Sequence, residues 1–228
     1  MRDVTRDLTQ QPIIEWQVSR NLVSYPEAQD LMQRRVCEIQ AGTADPLIWL
    51  LEHVPLYTMG TSAKRTDILS PERCPVYGAG RGGQVTYHGP GQRVGYVLMD
   101  LKRQQDPPDL RAYIFKLEQW LIDTLAVFQI KAERREGRRG LWVVGQNGVE
   151  SKIAAVGVRV QKWVTSHGVA LNLNPDLSYF TGIVPCGLAG YGVTSMHNLG
   201  VTATLDEVDA VLLKTFSGIF STPGPRIV

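Results

Sequence analysis

The sequence predicts an α+β protein whose mixed, largely antiparallel sheet is flanked by helices. Amphipathic helical stretches lie near both ends and in the middle of the 228 residues. Strand-like runs fall in pairs between them, and glycine-rich turns join runs within a pair. No linker-like stretch divides the chain, so residues 1–228 are expected to form one catalytic-sized domain.

Each element has a local reason. Ser24-Tyr-Pro-Glu27 forms a capping-box start with proline in the first turn, and apolar positions recur through Leu31, Val36 and Ile39. This predicts a helix from about Tyr25 to Ile39. Leu47 to Val54 reads as a buried strand entered after Pro46 and stopped by Pro55. Gln84–His88 and Val94–Leu101 are strand-like, with Gly-Pro-Gly turning the chain between them. Leu110, Ile114, Leu117, Leu121 and Leu125 share one face of a second helix, Asp109 to Phe128. Leu141 to Asn174 is strand-rich, with a run through Val160, a turn near Lys162 and a second run from Val169. Thr204-Leu-Asp-Glu207 is another capping box and opens a helix to about Phe220, followed by a loose Thr222-Pro-Gly-Pro-Arg tail.

Composition excludes several classes. An apolar fraction of 43% and a charged fraction of 20% suit a soluble protein with a sizeable core. Net charge is +2, too near neutral to argue for nucleic acid. The first residues carry acids and no apolar run follows, so no secretory signal is expected. Apolar runs such as Leu47–Leu51 are too short to span a membrane. Three widely spaced cysteines, an odd number, argue against a disulfide framework and for a reducing, cytoplasmic setting. Of these, Cys37 is expected to be a small buried hydrophobe of the first helix, and Cys74 to be incidental.

The most unusual segment is Arg81-Gly-Gly-Gln-Val-Thr-Tyr-His-Gly-Pro-Gly-Gln92, with four glycines in twelve residues. Glycine is costly to order, so such a run marks close backbone approach or simple loop and bulge positions. Gly78-Ala-Gly-Arg-Gly-Gly83 formally matches a dinucleotide fingerprint, but no strand precedes it and no helix follows to receive a pyrophosphate. No Walker loop is present. His53 and His197 have no ligand spacing, and no CxxC or HxxxH pair occurs, so no metal is expected.

Three blocks carry a resemblance: the twelve residues from Arg81, then Lys152-Ile-Ala-Ala-Val-Gly157, then Val184-Pro-Cys-Gly187. With His53-Val-Pro-Leu-Tyr-Thr-Met-Gly60 they are similar to the lipoyl(octanoyl) transferases, over about Leu22 to Ser195. The chain departs from the family pattern at Gly78-Ala-Gly80 and in the Arg138-Arg139 segment. The resemblance implies the fold of the biotin and lipoate protein ligase catalytic domain. It assigns acyl binding to Arg81, Gly82, Gly83, Gln84, Val85, Thr86, Tyr87 and His88. Further substrate contacts map to Ala155, Val156, Gly157, Gly168, Val169 and Ala170, while His167 is expected to be structural. A dry site for the chain's six methylenes gains about 5 kcal/mol at about 0.8 kcal/mol each, before ordering costs.

Catalysis is implied at Cys186 and Lys152. Pro185 and Gly187 suit a sharp turn with amides available to an oxyanion, although a structural thiol is the alternative. A thiol of pKa about 8.5 is only slightly ionised near neutrality, and a cation beside it corrects this. Sequence alone does not select Lys152; the resemblance does, as thiolate partner and as base toward an amine. His88 either contacts the thioester or braces the Gly-Pro-Gly turn. The implied reaction takes an octanoyl group from octanoyl-acyl carrier protein to Cys186, then to a lysine. The acceptors are lipoyl domains of 2-oxoacid dehydrogenase E2 subunits and the glycine cleavage H protein, and no cofactor is implied. Lys131 to Arg139, five cations against two acids, is either a solvated hairpin or a dock for such acidic partners. Two rivals stand beside this reading: an ATP-dependent lipoate or biotin ligase, and a non-catalytic acyl-carrier-binding module.

Overall fold

The structure is a computed structural model that describes residues 13–104, 107–145, 148–184, 191–220 and 226–228. Its elements are β1 (Glu15–Val18), α1 (Tyr25–Ala41), β2 (Leu47–Leu51), β3 (Leu56–Met59), β4 (Val76–Gly78), β5 (Val85–His88), β6 (Gln92–Leu98) and α2 (Leu110–Val127). They continue with β7 (Glu133–Arg135), β8 (Arg138–Val144), β9 (Glu150–Gln161), β10 (Val164–Asn172), β11 (Gly192–Val193), α3 (Leu205–Phe220) and β12 (Arg226–Ile227).

Among the described residues the main sheet runs β12-β1-β2-β6-β10-β9-β8-β7, with β11 added alongside β9. The pairs β12/β1, β1/β2 and β11/β9 are parallel and the rest antiparallel. The predicted α+β class with a mixed, mostly antiparallel sheet is therefore what forms. One face carries α1, whose Ala28, Met32, Val36 and Ile39 pack on Leu47, Trp49, Tyr96 and Leu98. The other carries α2 and α3, with Leu117, Trp120, Leu121, Leu212 and Phe216 over Ile48, Leu50, Val97 and Val169. A second sheet, β4-β3-β5, stands apart from the first.

Local chemistry sets the boundaries. Ser24 Oγ accepts from Glu27 N, Pro26 sits in the first turn, and Gly42, at φ 72°, closes α1 two residues beyond the expected end. Asp109 caps α2 by accepting from the amides of Arg111 and Ala112. Thr204 and Glu207 bond reciprocally at the start of α3. Lys162 and Trp163 both have positive φ, 50° and 71°, which makes the β9–β10 connection a tight hairpin turn.

Three expectations need correction. β2 ends at Leu51 rather than Val54, because His53 leaves the ladder to bridge Val23. The tail is not wholly loose: Arg226 and Ile227 pair with Glu15 and Trp16, and Arg226 bonds the Glu15 carboxylate at 2.7 Å. Cys37 is exposed, whereas Cys74 is buried; helix phase turns Cys37 outward beside the buried Val36. Sequence periodicity also left β1, β3, β4 and β7 unassigned, each of them four residues or fewer.

The helix-covered core is knit by edge-to-face aromatics: Trp16, Trp120 and Phe216 have ring centroids 5.2–6.3 Å apart. Trp120 Nε1 also donates to Leu212 O at 2.9 Å, tying α2 to α3. Trp120→Ala is expected to cost about 3–5 kcal/mol, read from the urea midpoint; a loss under about 1 kcal/mol would contradict this packing account.

Candidate active site

A cavity of about 260 Å³ opens between the main sheet and the smaller one, on the sheet face that also carries α1. Its floor is where β9 meets β10. Gly168 pairs with Gly157, Val169 with Val156, and Ala170 with Ala155, so the two predicted contact segments are a single register-matched patch. Small residues here allow a backbone approach that larger ones would block. A Cβ on Gly168 would collide with the carbonyl oxygen of Gly95, and one on Gly157 would lie 3.1 Å from Gly82 O and 3.2 Å from Arg81 Cδ. The bare floor thus lets the glycine-rich loop sit directly on the sheet, where Gly82 N donates to Val158 O at 2.9 Å.

Arg81 holds that loop in shape. Its guanidinium donates to the carbonyls of Gly82 and Gln84 at 3.0 and 3.1 Å, and to the Thr58 carbonyl and hydroxyl at 3.0 and 2.6 Å. Several acceptors around one planar fork suit arginine and not lysine. Gln92 Oε1 can only accept, so His88 carries its proton on Nδ1 and its Nε2 accepts from the Thr58 hydroxyl at 3.3 Å. His88 Nδ1 then donates to Gln92 Oε1 at 2.7 Å, Gln92 Nε2 donates to Asn172 Oδ1, and Asn172 Nδ2 to Thr194 O. A directional chain of hydrogen bonds therefore runs from the glycine-rich loop to the backbone beyond β11, and it assigns the His88 tautomer. Both ring nitrogens of His88 have protein partners, which favours the bracing role among its two expected ones.

Lys152 reaches the cavity through an irregularity in β9. Along this strand Val158, Ala154 and Ile153 pack into the core beneath α2 and α3, while Gly157 and Ala155 line the cavity. Strict alternation would send Lys152 into the core. Instead, the β8 pairing shifts between Leu141↔Ala154 and Trp142↔Lys152, leaving Ile153 as the extra residue of a bulge. Two consecutive residues then face inward, and Lys152 turns to the cavity side, buried to 9% exposure. This accounts for a lysine at the head of the apolar run Lys152-Ile-Ala-Ala-Val. Lys152 O also accepts from Thr194 N at 2.9 Å, so the chain eight residues past Cys186 runs beside it. Cys186 itself lies outside the described residues.

A histidine–tyrosine cluster forms another wall. Tyr25 OH bonds His167 Nε2 at 3.0 Å, and Tyr96 OH bonds His53 Nε2 at 2.6 Å while His53 Nδ1 donates to Val23 O. Burial drives the imidazoles toward the neutral form: His53 is lowered to about 4 and His167 to about 3, and nearby Arg81 and Arg159 add to the second shift. His88 is lowered well below its usual value, by burial first and then by His53 and Arg81.

Of the predicted contact residues, Arg81, Gly82, Gly83, Gln84, Val85, Thr86, His88, Ala155, Val156, Gly157, Gly168, Val169 and Ala170 line the cavity with Lys152. Tyr87 does not. Strand alternation turns it to the other side of β5, where it stacks on Tyr179 at 4.6 Å, among Tyr57 and Phe180. Sequence reasoning missed Tyr25, Thr58 and Tyr96, whose only signals are helix-cap and strand patterns. His167 was expected to be structural; it bonds Tyr25 and also lines the cavity. In the basic segment Arg134 pairs with Glu118, Arg135 with Glu133 and Glu150, and Arg138 with Glu150, while Gly137, Arg138 and Arg139 also reach the cavity. Among the described residues no group of three potential ligands gathers for a metal ion, and no helix is long and apolar enough to cross a membrane.

Residues 24–217 match the lipoyl protein ligase A/B catalytic domain. Solved structures agree on the fold. The bipartite lipoate protein ligase of Thermoplasma acidophilum superposes with a TM-score of 0.69 at 14% identity, covering 95% of this chain and 88% of that one. Lipoate-protein ligase A bound with ATP gives 0.66 at 14% identity, covering 94% and 89%. These identities speak to fold alone. An octanoyltransferase of Paramagnetospirillum magneticum is 58% identical over 91% of this chain and 97% of the relative. Another from Brucella melitensis is 51% identical over 94% and 83%. The chain belongs to the lipoyl protein ligase A/B catalytic-domain family and, within it, to the octanoyltransferases, which are acyl-transferring enzymes.

The neutral histidines predict a pH dependence. Below pH 6.5 an unfolded chain protonates His53 and His167, whereas the folded protein does so only near pH 4 and 3. Their contribution to stability is complete above pH 6.5 and is lost as the pH falls through that window. His53→Gln should therefore lose less stability than wild type between pH 7 and 4.5 in urea titrations. Parallel curves would contradict the assignment.

Proposed function

We propose that residues 1–228 form a single octanoyltransferase domain in which Cys186 is the nucleophile and Lys152 its cationic partner and base. The donor is octanoyl-acyl carrier protein, and the acceptors are the lipoyl domains of 2-oxoacid dehydrogenase E2 subunits and the glycine cleavage H protein. The observation that carries this reading is the lysine itself: a buried cation turned by a bulge into a cavity floored by glycine, alanine and valine. A slender alkyl chain fits such a floor, and acyl transfer from a thioester to an amine needs a group able to hold and release a proton there.

In the first half-reaction the Cys186 thiolate attacks the octanoyl thioester carbonyl. The carrier leaves as its thiol, taking a proton from the Lys152 ammonium, and the acyl group stays as a thioester on Cys186. The exchange replaces one thioester by another and needs no ATP. In the second half, an acceptor lysine amine gives its proton to Lys152 and attacks the acyl carbon. Cys186 departs as thiolate, and an amide is formed. Such a path is ping-pong. Arg81, Thr58 and His88 shape the loop over the chain, and the neutral histidines keep the cavity wall uncharged. The two free thiols among the described cysteines suit work in a reducing cytoplasm.

The ATP-dependent ligase reading has support only from distant structural neighbours, at 12–14% identity, against 51–58% for the octanoyltransferases. Intact-protein mass spectrometry separates them. Mixed with octanoyl-carrier protein and no ATP, wild type should gain one octanoyl group and Cys186→Ser none. Lys152→Ala should slow transfer to a lipoyl domain by roughly 100- to 10,000-fold. Adduct formation that requires ATP and octanoate would overturn the reading.

A further inference from the structure

Gly140 of β8 stands against both the Ala154 carbonyl of the neighbouring strand and the end of the Lys152 side chain. Its backbone is left-handed, at φ 89°, in the middle of a strand. A Cβ built there would come within 2.5 Å of Lys152 Cε and 3.0 Å of Nζ, and would also meet the Ala154 carbonyl oxygen. The lysine's terminal methylene and ammonium therefore lie over the space a side chain would occupy. This is the same stretch of ladder that bulges: the register shift between Leu141 and Trp142 immediately follows Gly140. The bulge chooses the face Lys152 takes, and Gly140 supplies the seat on which its end rests.

We infer that Gly140 is a positioning residue for octanoyl transfer, acting through Lys152. It touches no substrate. Its function is the absence of a side chain, which allows the ammonium to lie against β8 instead of being pushed toward the cavity. Any L-residue here both strains a left-handed backbone and displaces the lysine. Displacing a reacting group by about 1 Å can cost on the order of 100-fold in rate. The inference rests on the reading of Lys152 given above, so its test must separate the two.

The control for backbone strain is Gly200→Ala: Gly200 has φ 85° and no atom within 4 Å of a built Cβ. Four variants suffice: Gly140→Ala, Gly200→Ala, Lys152→Ala and the Gly140→Ala/Lys152→Ala double. Transfer from octanoyl-carrier protein to a lipoyl domain is followed across pH, beside thermal melts. Gly140→Ala should fall about 100-fold and displace the pH–rate profile, while Gly200→Ala keeps the wild-type profile. In the Lys152→Ala background, adding Gly140→Ala should cost no more than about 2-fold, because the lysine through which it acts is gone. A wild-type rate for Gly140→Ala, or a full further 100-fold loss in the double variant, overturns the inference and leaves Lys152 standing. A wild-type rate for Lys152→Ala removes the reading on which it rests. If Gly140→Ala fails to fold but the double variant folds, the lysine contact is supported. If neither folds, Gly140 serves the sheet, and the inference is overturned.

Discussion

The site depends on a steric constraint, the near absence of side chains where β9 meets β10. Gly157 and Gly168 pair across the ladder, flanked by Ala155 and Ala170. Gly168 can lie against Gly95 O only because it lacks a Cβ, and Gly157 has the Arg81 loop within about van der Waals distance. Remove that constraint at Gly157 and the loop lifts off the sheet, Gly82 N loses Val158 O, and the cavity loses its roof. Burial of so many backbone groups at close quarters is tolerated because each has a partner: Gly82 N on Val158 O, and the Thr58, Gly82 and Gln84 carbonyls on one guanidinium.

Placing a cation in such a setting is the harder problem. A lysine in the middle of a half-buried strand would ordinarily face water or unfold the core. Here one extra residue in β9 changes which face it takes, and the backbone of β8 opens a left-handed gap beside it. The bulge is local, yet it joins the glycine floor, the lysine and, through Thr194 N to Lys152 O, the chain that follows Cys186. Bulges that re-aim a side chain beside a reaction site are a recurrent use of this irregularity.

Much of this was legible in the sequence, and the part that was not has a physical cause. The capping boxes at Ser24 and Thr204 announced their helices, because a cap is a local interaction among four residues. The glycine-rich block announced a close approach, but not what it approached. That partner is Gly157 and Val158, more than seventy residues away, joined only by sheet register. Tyr87 stands off the cavity for the same reason: a motif read as a string assigns all its residues to one role, whereas a strand sends alternate ones to opposite faces. Arg138 and Arg139 were legible only as part of a basic cluster, solvated or docking, because composition is blind to which end of a hairpin meets a cavity.

The central claim is that an acyl chain on Cys186 lies in the cavity floored by β9 and β10, with Lys152 Nζ at its head. A crystal structure of the protein trapped with one octanoyl group tests it most directly. An alkyl chain is expected to run from Sγ into the cavity along Ala155 and Ala170, with Nζ of Lys152 about 3 Å from the thioester sulfur or oxygen. An acyl chain outside this cavity, or a lysine turned away from the thioester, would contradict it.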